Sequence, residues 1–367
     1  MSDPQTRPAG SSRSHVPAAP ATPPIVMASL FTSAGEIDPG SYAYGRNGNP
    51  TWEALEEVLG SLEQADALVF ASGQAATLAL FLALSEERRR VVLPSDGYYN
   101  ARALAGLLGP RLEAVEIDLA DVEAVARELD GPAVLWAESP TNPLLRVFDL
   151  QELAAVAGRA GAPLVVDNTT ATAVLQRPLD LGATACVYSL TKATSGHSDI
   201  VLGAVTTRDR ELIERLRGWR TTAGLIAGPF ESWLALRGMR TLALRIERQS
   251  ATALLIARWL GGLAAVRQVH YPGLDAPSGA LVERQMPRGR GPLLSFEVEG
   301  GAARADAIIG ASRLVRPATS FGGVESTWER RARWAGETAP EGLIRLSVGI
   351  EEPDDLLADI GQALEPS

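Results

Sequence analysis

The stretch Ala185-Cys186-Val187-Tyr188-Ser189-Leu190-Thr191-Lys192 is a short apolar run that ends in two hydroxyl side chains and a lysine. The small and polar segment Ser195-Gly196-His197-Ser198-Asp199 follows it closely. Open α/β sheets place their chemistry at the carboxyl ends of their strands, where polar turns face a crevice. The stretch therefore predicts one strand of such a sheet and a functional site just beyond it.

Lys192 is the single lysine of the chain, and the rest of its 34 basic side chains are arginines. A guanidinium stays protonated, whereas a partly desolvated lysine loses its proton readily and attacks carbonyls to form a Schiff base. The alternative is a leftover surface lysine in an arginine-rich chain. The position of Lys192 beyond a strand favours the nucleophile.

Composition narrows the classes of partner. The chain has 367 residues, a formal net charge of −10 and a pI of about 5.0, which argues against nucleic acid or an anionic membrane as a ligand. One cysteine excludes an internal disulfide framework and indicates a reducing compartment. His15, His197 and His270 lie too far apart in sequence to indicate a metal site. No secretory pattern opens the chain, so we expect a cytoplasmic protein without a membrane span.

Short apolar runs alternate with helical patterns along the middle of the chain. The strand-like runs are residues 68–70, 91–93, 115–117, 133–135, 164–166, 186–188 and 201–205, and the helical patterns include 53–63, 75–84, 122–129 and 150–160. Such alternation predicts an α/β fold with a mostly parallel sheet that is covered on both faces.

The C-terminal third has a different pattern. Residues 229–260 predict one long helix interrupted only by Gly238, and beyond it strands at 293–298 and 343–348 accompany helices at 302–309 and 353–364. We therefore predict an N-terminal arm (residues 1–48, disordered or partly docked up to about residue 24), a large domain (49–240) and a smaller α+β domain (241–367).

Two strand ends and one loop carry further candidates. Ser72-Gly73-Gln74 lies between a strand and a helix, so its backbone amides suit a phosphate, although an ordinary glycine turn is the alternative. Asp167 follows three buried aliphatic residues and therefore needs a cation, such as a protonated pyridine, unless it caps a helix. The loop 42–51 holds Tyr44 and Arg46, whose hydroxyl and guanidinium groups suit phosphate.

Together these motifs resemble the Cys/Met-metabolism family of pyridoxal 5′-phosphate (PLP) enzymes, which includes cystathionine γ-lyases and γ-synthases. The matching motifs are Ser189-x-Thr191-Lys192 with Gly196-His197-Ser198-Asp199, Glu138-Ser139-Pro140-Thr141-Asn142-Pro143, Val166-Asp167-Asn168-Thr169 and Tyr44-Gly45-Arg46 with Gly48-Asn49-Pro50-Thr51. The resemblance implies an aspartate aminotransferase-like fold of type I and PLP as the cofactor.

The resemblance also implies residue roles. Lys192 carries the cofactor as a Schiff base and then moves protons, Asp167 keeps the pyridine nitrogen protonated, and Tyr98 stacks on the ring and acts as acid or base. Residues implied to hold the phosphate are Ser72, Gly73, Gln74, Ser189 and Thr191, with Asn142 on the ring oxygen. Residues implied to bind the substrate are Arg345, as a clamp for its carboxylate, with Ser320, Glu325 and Asn100.

Assembly follows from the same resemblance. Tyr44 and Arg46 are implied to reach the phosphate in a neighbouring subunit, so a monomer is expected to be inactive. The family's usual state is a homotetramer built as a dimer of dimers. The expected partners are therefore a small amino-acid substrate and further copies of the chain.

Three departures from the family pattern leave the substrate open. Tyr99 and Asn100 stand where two small residues are common, and Ala193 stands where an aromatic residue is common. The segment 327–334 replaces a common His-Pro-Ala segment with two tryptophans and three arginines. It predicts either a surface helix with apolar anchors or an anion-accepting entrance to the site.

The predicted function is γ-elimination on L-cystathionine or a related sulfur amino acid, giving a thiol, ammonia and a 2-oxo acid. The alternative is γ-replacement, which joins cysteine or sulfide to an activated homoserine ester. Glu325 disfavours a methionine γ-lyase, because family members that act on cystathionine often have a glutamate there. A binding protein without turnover is disfavoured by the joint presence of Lys192, Asp167, Tyr98 and Arg345.

Overall fold

The computed structural model describes residues 6, 18, 20–36, 38 and 40–365, without the side chains of residues 276 and 277. Most of the segment 1–24 lies outside the described residues. Its end is docked, since the carbonyl of Pro23 accepts a 3.0 Å hydrogen bond from the indole of Trp233. Within the described chain, no helix is both long and apolar enough to cross a membrane.

The described residues form the following helices and strands. The α-helices are α1 (Pro50–Glu63), α2 (Gly73–Leu84), α3 (Tyr99–Leu108), α4 (Val122–Glu128), α5 (Leu150–Arg159), α6 (Thr172–Leu175), α7 (Arg210–Ala223), α8 (Pro229–Met239), α9 (Leu242–Leu260), α10 (Ala276–Gln285), α11 (Gly301–Ala311) and α12 (Pro353–Leu364). The strands are β1 (Asp66–Phe70), β2 (Arg90–Pro94), β3 (Glu113–Ile117), β4 (Ala133–Glu138), β5 (Leu164–Asp167), β6 (Ala185–Ser189), β7 (Gly203–Thr207), β8 (Val266–His270), β9 (Leu293–Val298), β10 (Arg316–Pro317), β11 (Thr327–Arg330) and β12 (Leu343–Ser347). Short 3₁₀ turns span Gly109–Arg111, Pro178–Leu181 and Arg331–Arg333.

The larger sheet has the strand order β1-β7-β6-β5-β4-β2-β3. Strands β6, β5, β4, β2 and β3 are parallel, and β7 runs antiparallel to both of its neighbours. The prediction of a mostly parallel sheet is therefore confirmed. Because the strands run in one direction, the ends of β4, β5 and β6 meet at one edge of the sheet.

Both faces of this sheet are buried, as parallel sheets require. Successive side chains of a strand point to opposite faces, so Trp136 of β4 packs in one apolar cluster with α2 and α3. Its neighbour Leu135 packs in another cluster with α4 and α5. This alternation explains the nearly continuous apolar runs in the sequence.

The smaller sheet has the order β10-β11-β12-β9-β8 and is antiparallel except for the pairing of β10 with β11. Its core includes Phe296, Trp328 and Ile344, against residues of α9, α11 and α12. Strand β12 pairs with both β9 and β11, so its side chains are held from two sides. This sheet supplies the second wall of the cavity described below.

The predicted single helix over residues 229–260 is wrong, because the chain forms α8 and α9 with a break at Arg240 and Thr241. Thr241 has φ −112° and ψ 6°, and the carbonyl of Gly238 accepts hydrogen bonds from Thr241 (3.2 Å) and Arg245 (2.9 Å). Gly238 itself lies inside α8, where an added Cβ would come within 2.2 Å of the carbonyl oxygen of Ser195. The glycine is required for a close approach of two segments.

Candidate active site

A cavity of about 380 Å³ lies between the ends of the parallel strands and the smaller sheet. The predicted site residues that line it are Ser72, Gly73, Gln74, Tyr98, Asn142, Asp167, Ser189, Thr191, Lys192, Ser320 and Arg345. They come from both sheets and from widely separated parts of the sequence. The structure therefore brings most of the predicted candidates together.

Lys192 follows the end of β6 and points its amine into this cavity. The amine donates a 2.6 Å hydrogen bond to the hydroxyl of Ser320 and lies 5.1 Å from the centre of the Phe321 ring. Burial, and next the charge of Arg345, lower the pKa of Lys192 from 10.5 to about 8. A substantial fraction of the amine is therefore neutral, and nucleophilic, near physiological pH.

Asp167 is the last residue of β5, and its Oδ1 accepts a 3.0 Å hydrogen bond from the amide of Thr169. Burial raises the pKa of this carboxyl above its usual range. Among the described residues, no cation forms an ion pair with Asp167. A cationic group bound in the cavity would therefore stabilise the ionised carboxylate, which fits a protonated ring nitrogen.

Glu138 ends β4 and is paired in register with Asp167 on β5. Its two carboxyl oxygens each accept a 2.7 Å hydrogen bond, one from the amide of Tyr98 and one from the amide of Asn142. Burial, and next the charge of Asp167, raise the pKa of Glu138 well above its usual range. Glu138 thus holds two predicted site residues in place, although sequence reasoning assigned it no role. The sequence feature that could have indicated this role is a glutamate at the end of a buried strand.

The N-terminus of α2 forms the opposite wall of the cavity. Ser72 caps this 12-residue helix by accepting a 3.0 Å hydrogen bond from Ala75. An added Cβ at Gly73 would lie 3.0 Å from the Cβ of Ser189, so the glycine leaves room at the cavity. Free helix amides and hydroxyl groups suit a phosphate. Thr191 supports this wall differently, because its hydroxyl exchanges hydrogen bonds with the backbone of Leu202.

Arg345 lies on β12 and is 3% exposed. Its guanidinium donates to Oδ1 of Asn142 (2.6 Å), to the carbonyl of Ser320 (2.9 Å) and to Oε1 of Glu329 (2.5 Å). Burial, and next the charge of Arg331, lower the pKa of Arg345 to about 10, so it remains cationic at neutral pH. A guanidinium held in one orientation can donate two parallel hydrogen bonds to a substrate carboxylate.

Four predicted site residues do not line the cavity. Asn100 lies behind Tyr98 and donates a 2.7 Å hydrogen bond to its hydroxyl. Glu325 is half-buried and accepts a hydrogen bond from the exposed Ser198. Tyr44 is 43% exposed, and Arg46 donates to the carbonyl of Thr221 at 3.0 Å. Within one chain, these four residues contact neither Lys192 nor Asp167.

The segment 327–334 forms a strand and a 3₁₀ turn, so the predicted surface helix is wrong. Trp328 is 1% exposed because β11 pairs with β12 and buries it in the core of the smaller sheet. Arg331 and Trp334 line the cavity. Of the two predictions for this segment, the structure agrees with the one that places it at the site.

Taken together, this arrangement defines the class of PLP-dependent enzymes that act on amino acids. The class requires a lysine for the cofactor's aldehyde, a carboxylate for its ring nitrogen and a helix N-terminus for its phosphate. Lys192, Asp167 and the N-terminus of α2 fit these three requirements, and Arg345 fits a substrate carboxylate.

The chain belongs to the Cys/Met metabolism PLP-dependent enzyme family, whose model matches residues 9–365. A relative from Streptomyces coelicolor, provisionally named a cystathionine γ-lyase, is 45% identical to this chain. The alignment covers 94% of this chain and 89% of the relative. The cystathionine γ-synthase of Mycobacterium bovis is 38% identical over 93% of this chain and 91% of its own. The crystal structure of a cystathionine γ-lyase from Micromonospora echinospora superposes with a TM-score of 0.92 at 39% identity, and covers all of both chains. The predicted fold class, family and cofactor are confirmed.

Proposed function

We propose that this enzyme catalyses γ-elimination on L-cystathionine, or on a closely related sulfur amino acid, and releases a thiol, ammonia and a 2-oxo acid. For L-cystathionine the balance is one water consumed and cysteine, ammonia and 2-oxobutanoate released. The observation that carries the proposal is a single cavity with a nucleophilic lysine, Lys192, and a fixed carboxylate clamp, Arg345. The relatives named for cystathionine chemistry set the substrate class.

Binding of the cofactor is assigned to residues on both sides of Lys192. The amine would carry it covalently, Asp167 would pair with the ring nitrogen, and Tyr98 would stack against the ring. When bound, PLP supplies an electron sink for the charge left on the substrate's α-carbon. The phosphate would be held by Ser72, Gly73, Gln74, Ser189 and Thr191. Asn142, which accepts a hydrogen bond from Arg345, would contact the ring oxygen.

Proton transfer is assigned first to Lys192. With cofactor and substrate bound, the Lys192 amine would take the proton from the substrate's α-carbon, pass it to the bound cofactor, and then take a second proton from the β-carbon. Burial lowers its pKa to about 8, which suits this task. Burial raises the pKa of Tyr98 above its usual range, so its phenol is protonated near neutral pH and suits donation to the leaving thiolate. Asn100 acts through Tyr98, because its amide orients that hydroxyl.

Substrate orientation is assigned to Arg345 and Ser320. Arg345 pairs with the substrate's α-carboxylate, and Ser320 holds the Lys192 amine on the same side of the cavity. Glu325 lies outside the cavity lining, so we assign it a supporting role at the rim. The large domain (49–240) then carries the cofactor, and the smaller domain (241–367) supplies the clamp.

The second candidate is γ-replacement, in which a thiol rather than water completes turnover. The M. bovis relative named a cystathionine γ-synthase favours this candidate. Both reactions use the same residues up to loss of the γ-substituent, so the cavity chemistry described here serves either.

We also propose a homotetramer in which each site is completed by a neighbouring chain. The support is the position of Tyr44 and Arg46, which lie outside their own chain's cavity although the family resemblance gives them a phosphate. We also propose that the enzyme works in the reducing cytoplasm, because Cys186 is a free and buried thiol and the proposed reaction releases a thiol.

The test offers the purified enzyme L-cystathionine, L-methionine, and O-succinyl-L-homoserine with cysteine, and measures 2-oxo acid and thioether together. We expect cysteine and 2-oxobutanoate from L-cystathionine as the fastest reaction. The matched control is Lys192→Arg, which keeps the charge and loses the nucleophile, and it should be inactive and folded. Faster net thioether synthesis from the ester would assign the enzyme to γ-replacement instead.

A further inference from the structure

Arg331 is a buried arginine on the wall of the cavity for which the proposed chemistry has no use. It is 4% exposed, lies in the 3₁₀ turn after β11 and lines the cavity with Trp334 and Tyr99. Building on the proposed function, we propose that Arg331 forms a second anion subsite. It would recognise the distal carboxylate of a dicarboxylic thioether amino acid, while Trp334 and Tyr99 flank the chain between the two carboxylates.

Two arginines line the cavity and offer places for two carboxylates of the substrate. The ionisable side chains that line it, apart from the tyrosines, are Lys192, Arg331, Arg345, Glu138 and Asp167. Burial raises the pKa of Glu138 and so disfavours its ionised form, and Asp167 is assigned to the ring nitrogen. The cofactor's phosphate is assigned to the opposite wall, at the N-terminus of α2. Glu329 and Glu337 pair with these arginines from outside the cavity lining, so the subsite depends on donor groups and not on an unbalanced charge. Arg345 is assigned to the α-carboxylate, and Arg331 is the other arginine on the lining with donors for a second carboxylate.

Arg331 is anchored and still has donors to offer. Its guanidinium donates to Oε1 of Glu329 (2.9 Å) and, from two nitrogens, to Oε2 of Glu337 (3.1 and 2.6 Å). These contacts use three of the five N–H groups of an arginine. The two carboxylates offset the cost of burying the charge and fix the plane of the guanidinium, which favours bidentate binding of a carboxylate.

Glu329 couples the two arginines. Its Oε1 accepts from Arg345 at 2.5 Å and from Arg331 at 2.9 Å, so the two guanidinium groups stand side by side. Its Oε2 accepts a 2.9 Å hydrogen bond from the indole of Trp334. One buried carboxylate thus sets the positions of both cations and of the aromatic wall.

Arg331 also acts on the reacting groups. Its charge contributes, after burial and Arg345, to the lowered pKa of Lys192. The segment around it is tied to α3, because Arg102 donates a 3.1 Å hydrogen bond to the carbonyl of Gly336. Arg331 is therefore close enough to the chemistry to contact the distal half of a substrate whose α-carbon lies at Lys192.

The experiment compares two thioether substrates in the holoenzyme, L-cystathionine and S-(2-aminoethyl)-L-homocysteine, which keeps the distal amino group and lacks only the distal carboxylate. Arg331→Gln should lower kcat/KM for L-cystathionine about tenfold to a hundredfold, as expected for a lost charge-assisted contact. It should leave kcat/KM for S-(2-aminoethyl)-L-homocysteine unchanged. The matched control is Arg217→Gln, which removes the same charge from a side chain that is 46% exposed and outside the cavity lining.

Two results would overturn the inference. Equal losses for both substrates would mean that Arg331 only positions Glu329 and Arg345, and no loss for either would mean that it binds no substrate. If Arg331→Gln does not fold, Arg331→Lys decides the matter, because it keeps the charge and should weaken L-cystathionine alone. If the wild type turns over neither substrate, the proposed function fails. Calorimetric titration with the same two compounds then shows whether binding of the distal carboxylate depends on Arg331.

Discussion

The amine of Lys192 and the hydroxyl of Ser320 are joined by a 2.6 Å hydrogen bond between the segment after β6 and the segment between β10 and β11. Ser320 adopts a φ of 82°, which is unusual for a residue with a side chain. Its carbonyl accepts a hydrogen bond from Arg345 at 2.9 Å. The proposed nucleophile and the proposed carboxylate clamp therefore hold the same residue in a strained backbone conformation.

Two substitutions of Ser320 distinguish the effect of its hydroxyl on kcat from the effect of its backbone conformation on stability. Ser320→Ala and Ser320→Gly both remove the contact to Lys192, so both should lower kcat by about tenfold or more, as for a hydrogen bond to a charged group. Glycine tolerates the positive φ, so Ser320→Gly should be more stable than Ser320→Ala by about 1 kcal/mol. Steady-state kinetics and thermal unfolding measure the two effects. A loss of kcat in only one variant would show that the hydroxyl is not the cause.

The lowered pKa of Lys192 predicts how the cofactor-free protein reloads. The amine attacks the cofactor's aldehyde only when neutral, so the loading rate should rise with pH and level off above about 8. Arg345→Gln removes the charge that, after burial, contributes most to this shift, and should move the rise to higher pH. Stopped-flow absorbance of the cofactor measures the rate. A rate that climbs steadily beyond pH 10 would contradict the lowered pKa.

Asp167→Asn tests the pairing with the ring nitrogen. An amide cannot keep that nitrogen protonated, so kcat should fall by an amount equivalent to roughly 3–5 kcal/mol. Stability of the cofactor-free chain should change far less, because burial already disfavours the ionised carboxylate there. Kinetics of the loaded variant and urea unfolding of the cofactor-free variant give the two values. A fall in kcat below about tenfold would assign the carboxylate another role.

The residues that the sequence could place in the site are those at strand ends. Lys192 and Asp167 each follow an apolar run, and parallel strands bring their ends to one edge. Glu138, by contrast, acts through backbone amides of Tyr98 and Asn142, and these contacts depend on how two loops fold over β4. The sequence spacing of Glu138, Tyr98 and Asn142 does not predict these contacts.

The segment 327–334 shows a second limit of sequence reasoning. Tryptophans and arginines at close spacing fit an amphipathic surface helix as well as a wall of the site. Pairing of β11 with β12 decides between them, since it buries Trp328 and turns Arg331 toward the cavity. The break between α8 and α9 was missed for a similar reason, because Arg245 reaches back to the carbonyl of Gly238 only in the folded chain.

A buried glutamate outside the cavity lining predicts how stability depends on pH. Glu63 at the end of α1 accepts a hydrogen bond from Tyr188, and burial raises its pKa from 4.5 to about 7. Between these values the native state holds a proton that the unfolded chain releases, so the free energy of unfolding falls as pH rises. The loss amounts to about 3 kcal/mol by pH 8.

Glu63→Gln should remove most of that slope, because the amide does not ionise. The control is Glu57→Gln on the exposed face of the same helix, which should keep the wild-type slope. Urea unfolding at intervals from pH 5 to 8 measures it. An unchanged slope in Glu63→Gln would mean that other groups set the pH dependence.

The last prediction concerns the shared site. Tyr44 is 43% exposed, and the guanidinium of Arg46 lies 5.4 Å from its ring, away from its own chain's cavity. A chain with Tyr44→Phe and Arg46→Ala, and a chain with Lys192→Ala, should each be inactive alone. Co-expressed, they should recover about a quarter of wild-type activity, since half of randomly formed dimers are hybrid and each hybrid has one complete site of two. Tagged pull-down verifies that hybrids form. Hybrids without activity would mean that Tyr44 and Arg46 serve their own chain.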